Sequence, residues 1–291
     1  MQVIFHLGAH CTGEDRLLKS LLKNREMLNP QGIIVPGPSR YRRLIRQTLR
    51  GLDGARPTID EQQALLAQIT DELTVKRLIL SAADFLAFVP WIFRHHILYG
   101  KAPEVTAALG KLFTDAKIEF HLSIRNPATF IPAVFGNTTG LTLEKFLYGI
   151  DPRSIKWSDL INQIRMANPQ ARIVVWRSED CPTIWSRVMH SLTGTAEAIP
   201  LQGETDILAE RMTSEGLELY QTYLSANPPK SATHKQLIIN TFLEKFTLPM
   251  PSPTEGIPAG WTEETVACLT DQYEEDLAQI ARIPTVKLLT P

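Results

Sequence analysis

Short, fully apolar runs separated by longer amphipathic stretches set the pattern of this chain. Val3–Leu7, Gly32–Val35, Arg77–Ser81, Lys117–Ile124 and Arg172–Trp176 read as strands. Apolar runs of this length without polar alternation suit strands covered on both faces. Between them, helices are predicted over Glu14–Asn24, Arg40–Leu52, Glu61–Leu73, Ala102–Thr114, residues 127–136, Leu143–Tyr148, Trp157–Ala167 and Pro182–Thr193. In the first of these, Leu17, Leu18, Leu21 and Leu22 share one face. The alternation predicts an α/β core over residues 1–195, a doubly wound sheet of about five parallel strands with helices on both faces. Residues 196–291 look different. Helices are predicted over Thr213–Leu224, His234–Lys245 and Thr262–Ile283, with Pro-rich connections at Asn227-Pro228-Pro229 and Pro249–Pro258 and a last short strand at Val286–Leu289. This tail is expected to pack on the core as a helical extension, the whole forming one domain.

Composition narrows the classes. With 291 residues and 44% hydrophobic content, the chain can bury a sizeable core. A formal net charge of −1 gives no global pull toward nucleic acid or an anionic membrane. No apolar run approaches the ~20 residues of a membrane span, and the chain opens directly in a strand, so no secretory leader is expected. The three cysteines, Cys11, Cys181 and Cys268, lie far apart with no metal-ligand spacing. A reducing cytoplasm is the expected compartment and no metal is expected.

The densest chemistry follows the first strand. His6-Leu7-Gly8-Ala9-His10-Cys11-Thr12-Gly13-Glu14-Asp15 is a glycine-bracketed turn running into a helix, the layout of a P-loop-type anion cradle. The segment is similar to the first loop of the sulfotransferase family, His-x-Gly-x-x-Lys-Thr-Gly-Thr-Thr. His6, Gly8, Thr12 and Gly13 match. Cys11 stands where the family has lysine, and Glu14 and Asp15 where it has hydroxyls. A second segment, Ser123-Ile124-Arg125-Asn126-Pro127, resembles the family's Arg-Asx-Pro element, with Ala133 at the position of its serine. The ending, Leu269–Leu277 followed by Val286–Leu289, resembles bacterial sulfotransferase-like proteins.

The resemblance implies sulfuryl transfer from PAPS to a hydroxyl or amine of a small-molecule or glycan acceptor. It implies donor contacts at Gly8, Ala9, His10, Cys11, Thr12, Gly13, Glu14, Asp15, Arg125 and Ala133. The altered positions change that expectation. A thiol at Cys11 cannot neutralise charge on a transferring group, a loss on the order of a thousandfold in rate. Glu14 and Asp15 are expected to complement the helix dipole, cap its free N–H groups and repel a polyanion. These substitutions point to a non-catalytic binding role, a pseudoenzyme whose binding of PAPS or PAP is in question. An active enzyme with an atypical loop, and an enzyme of another class recruiting His10, Glu14 or Asp15, are the alternatives.

Other groups carry two readings each. His10 is expected to face the cleft as a general acid or base. His6, at the strand end, reads as a hydrogen-bonded structural histidine, and Cys11 reads as inert or as an activated thiol. Asp84, after the third strand, fits either the base that the family uses on its acceptor or a helix cap. Arg43, Arg46 and Arg50 share one helical face, either solvated or holding an acidic group. His95 and His96 are adjacent and do not make a metal pair. Glu179 and Asp180 are expected to cap the helix that begins at Pro182. The tail could be a lid or the surface of a homodimer.

Overall fold

The computed structural model describes residues 1–13, 15–249 and 261–291. Six strands form one parallel sheet: β1 (Gln2–His6), β2 (Ile33–Ile34), β3 (Arg77–Ser81), β4 (Lys117–Ile124), β5 (Arg172–Arg177) and β6 (Val286–Leu289). Their order is β2-β3-β1-β4-β5-β6. The fold class is therefore α/β, with one strand more than the five of the predicted core. The sixth comes from the C-terminal tail, and it pairs Val286–Leu289 with Ile173–Trp176 of β5.

Side-chain alternation along these strands divides the core in two. Val3, Phe5, Leu78, Leu80, Phe120 and Leu122 point into the larger cluster, which Phe130, Trp157 and Ile161 complete. Ile4, Ile79, Val174 and Trp176 point the other way, onto the helices Arg16–Leu22 and Cys181–Thr193. Both faces are covered, which is why the strands read as nearly unbroken apolar runs. A third, smaller cluster around Leu208, Met212, Tyr220 and Ile239 joins the helices Asp206–Arg211, Ser214–Ala226 and Ala232–Phe246.

The long C-terminal helix Glu263–Ile280 is bound to the core by a buried carboxylate. Asp276 accepts the backbone N–H groups of Trp157 and Ser158 at 2.7 and 3.1 Å. It thus satisfies the start of the helix Trp157–Ala167, whose own Lys156 provides no side-chain cap. A cap of this kind contributes about 1 kcal/mol.

The connections fix where a site can form. The chain leaves β1 toward β2 and β3 on one side, and leaves β4 toward β5 and β6 on the other. The loops beyond the carboxyl ends of the adjacent strands β1 and β4 therefore part, and a crevice opens between them.

One expected helix is divided and one short helix is additional. The first helix spans only Arg16–Leu22 and a separate turn covers Arg25–Leu28, because Asn24 turns back to donate to the Ser20 carbonyl and to that of Gln202. The Asp206–Arg211 helix was not predicted, being too short to show a period. Of the Pro249–Pro258 connection, residues 250–258 lie outside the described residues. No described helix is long and apolar enough to cross a membrane.

Candidate functional site

The loop after β1 keeps pairing with the sheet before it turns away. Leu7 and Ala9 donate their N–H groups to the carbonyls of His121 and Ser123 at 2.8 and 2.6 Å. Gly8 has φ +94°, and a Cβ there would lie 3.1 Å from Ala83 Cα and Cβ. Only glycine fits that combination of conformation and close approach. Beyond it the loop is held from inside: Thr12 Oγ1 donates to the Ala9 carbonyl at 2.7 Å, and Arg16 N–H to the Gly13 carbonyl at 2.9 Å.

A cleft of about 660 Å³ opens at the crevice that the topology places there. Cys11, Thr12, Gly13, Arg125 and Ala133 all line it. Residues separated by more than a hundred positions thus meet in one site. Ser178, Glu179, Cys181 and Trp185 form the opposite wall, and Arg16, Glu210 and Arg211 lie at the Arg16–Leu22 and Asp206–Arg211 helices.

Most of the cleft's charge is already engaged within the protein. Arg125 donates to the Cys11 carbonyl at 2.8 Å and to Thr129 Oγ1 at 2.9 Å, so it holds the loop in place. Arg16 pairs with Glu210 at 2.9 Å. Glu179 accepts the Asn126 N–H at 2.8 Å and the Tyr273 hydroxyl at 3.4 Å. Asn137 Nδ2 donates to Cys11 Sγ at 3.3 Å. Burial pushes the Cys181 thiol up to about 12, so it stays protonated at neutral pH.

Several expected roles are corrected. His10 does not face the cleft. It is buried, stacked on Tyr99, and its Nδ1 and N–H meet the Tyr99 hydroxyl at 2.8 and 3.2 Å. The hydroxyl accepts the backbone N–H and shares a second hydrogen bond with Nδ1. Burial lowers this imidazole to about 4. A ring held neutral and bonded to a buried phenol is a structural group rather than an acid or base open to a ligand. Asp15 does not cap the helix it precedes; its carboxylate forms a two-bonded pair with Arg42, whose Nε also donates to the Ser81 carbonyl at 3.0 Å. Glu14 lies outside the described residues. Asp84 neither caps a helix nor enters the cleft: it pairs with Arg46 and lines a separate cavity beyond β3. Glu179 and Asp180 leave the helix Cys181–Thr193 without a side-chain cap, Glu179 because Asn126 and Tyr273 engage it.

His6 takes the structural role expected of it. His6 meets Ser81 Oγ at 2.8 Å, stacks on Trp176, and is held by burial to about 3, as a structural histidine should be. Asn126 caps the helix Pro127–Phe135 by accepting the Ala128 N–H at 2.9 Å. Gly8 and Ala9, expected as donor contacts, do not line the cleft and shape the loop from behind it. Among the described residues, no group of three or more His, Cys, Asp or Glu side chains is placed to hold a metal ion.

Tyr99, Asn137 and Glu179 were not singled out for the roles they play. Tyr99 stands 89 residues from His10, in an irregular segment whose sequence carries no motif.

No protein-family model matches this chain, and no curated protein matches it significantly.

Proposed function

We propose that this chain is a P-loop-type, sulfotransferase-like protein that retains the form of a donor cleft and has given up sulfuryl transfer for a non-catalytic binding role. One observation carries the reading. Cys11, Thr12 and Gly13 of the loop and Arg125 and Ala133 of the second segment line one cleft, yet among the described residues lining it none is a lysine. Its Arg125 is committed to the Cys11 carbonyl and Thr129.

The fit to PAPS is poor. A phosphosulfate needs fixed positive charge where bonds break. At the lysine and serine positions of the resemblance the cleft offers a neutral side chain, Cys11, and a methyl group, Ala133, and its three arginines, Arg16, Arg125 and Arg211, share it with the carboxylates of Glu179 and Glu210. Catalysis by His10 or Asp15 is disfavoured by the bonds these groups make to Tyr99 and Arg42. All three cysteines are free, which suits a reducing cytoplasm.

The test is calorimetric titration with PAP, using ATP and ADP as controls, of the wild type and of the Cys11→Lys/Ala133→Ser double variant. The Asp15–Arg42 pair is left intact so that the loop keeps its support. The wild type should bind none of the three at concentrations up to about 1 mM, and the double variant should bind PAP at least about tenfold more tightly than the wild type. Micromolar PAP binding by the wild type would overturn the reading. A folded double variant with no gain would show that the donor site is wrongly placed.

A further inference from the structure

The cavity beyond β3 differs in kind from the cleft just described. It encloses about 250 Å³ between the helix Pro38–Leu52, the turn Ala83–Phe85 and the start of the helix Ala102–Lys111. Its inner wall is apolar: Phe85, Leu86 and Tyr99 are buried there. At its mouth stand two large aromatic side chains left in contact with water, Phe88 at 37% and Trp91 at 47% exposure. Flat apolar surface at the rim of an apolar cavity is a feature of surfaces that meet a ligand.

The charge around it is one-sided. Four cations, Arg46, Arg50, Arg94 and Lys101, face a single carboxylate, Asp84. Arg46 pairs with Asp84 and lies over the Phe88 ring at 5.3 Å; Arg94 lies over Trp91 at 5.6 Å. Among the described residues, Arg50 and Lys101 pair with no carboxylate. The chain as a whole carries −1, so this excess is local. The amino end of the ten-residue helix Ala102–Lys111 adds partial positive charge on the same side.

We infer that this cavity binds a small amphipathic anion: a one- or two-ring aromatic body against Phe85, Phe88 and Trp91, with a carboxylate or similar acidic group at Arg50 and Lys101. The volume lies just below the about 300–1,000 Å³ usual for ligand pockets, which sets the upper size. The apolar wall removes the ring from water. The two uncommitted cations select the charge, since each can form a charge-assisted hydrogen bond without breaking an existing pair. The inference stands on this cavity alone and does not depend on the sulfotransferase-like reading.

It is tested by titrating the full chain with 2-naphthoate and with 2-naphthylmethanol, a neutral molecule of the same shape, following tryptophan fluorescence and confirming by calorimetry. Naphthoate should bind at least about tenfold more tightly than the alcohol. Arg50→Gln and Lys101→Gln, both at exposed positions and so safe for folding, should each weaken naphthoate about three- to tenfold and leave the alcohol unchanged. Trp91→Ala should weaken both. Equal affinity for acid and alcohol, or charge variants that bind naphthoate like the wild type, would overturn the proposal. So would association with anionic lipid vesicles by a protein that binds no soluble naphthoate, because the basic rim would then be a surface for membranes.

Discussion

The two cavities at the carboxyl end of the sheet are linked through one buried pair and differ in what their charges do. In the cleft between β1 and β4, Arg125 and Arg16 are bonded to a carbonyl and a carboxylate of the protein itself. In the cavity beyond β3, Arg50 and Lys101 are uncommitted and the walls are apolar. The pair is His10 with Tyr99: Tyr99 lines the second cavity, and its hydroxyl fixes the residue next to Cys11, which lines the first. The lesson is that a motif locates a cavity, while the bonding state of its charged groups decides whether an anion gains by entering. A cation already satisfied by the fold must break a bond to bind a ligand, and one left in solvent does not.

The comparison can be broken at this link. Gly8→Val should have the largest effect, about 3 kcal/mol of stability lost in urea unfolding, because it places a branched side chain at φ +94° against Ala83. Both cavities should lose their form together. Tyr99→Phe comes next, at about 2 kcal/mol, because it leaves the buried His10 Nδ1 and N–H without their partner. In that variant, amide exchange in residues 8–13 should speed up even though the substitution lies in the other cavity. An unchanged loop would show that the two sites are independent.

Taken one imidazole at a time, mild acidification should give the smallest effect. The His10 imidazole is held at about 4, below its unfolded value of about 6.5, so the unfolded chain binds more protons in between. Its contribution is complete above pH 6.5 and is lost as the pH falls toward 4. His6, held at about 3 by burial, adds a loss of the same sign. Near pH 5.5 each should remove about 1 kcal/mol relative to pH 7. In thermal unfolding from pH 7 to 4.5, His6→Asn should flatten the acid limb; an unchanged slope would remove this group from the account.

How much of this was legible in the sequence depended on distance along the chain. The strands at Arg77–Ser81 and Lys117–Ile124 and the helix Trp157–Ala167 fall where apolar periodicity puts them, since each is settled by its own residues. Cys11, Thr12, Gly13, Arg125 and Ala133 were also readable as one site, because spacing and strand ends suffice to bring them together. What could not be read were choices between partners. Asp15 looked like a helix cap because Arg42, 27 residues on, is invisible to local rules. His10 looked open to the cleft because Tyr99 lies in a turn with no pattern. The basic face of the helix Pro38–Leu52 read as either solvated or holding an acidic group, and the sequence did not show the apolar cavity, lined largely by residues 84–101, that Arg46 and Arg50 also line.

The most direct test of the account is amide hydrogen exchange on the wild-type protein, alone and with saturating 2-naphthoate or with 1 mM PAP. The account predicts protection by naphthoate in residues 84–101 and none by PAP in residues 8–13 or 125–137. Protection of those loop segments by PAP, with none from naphthoate beyond β3, would contradict it.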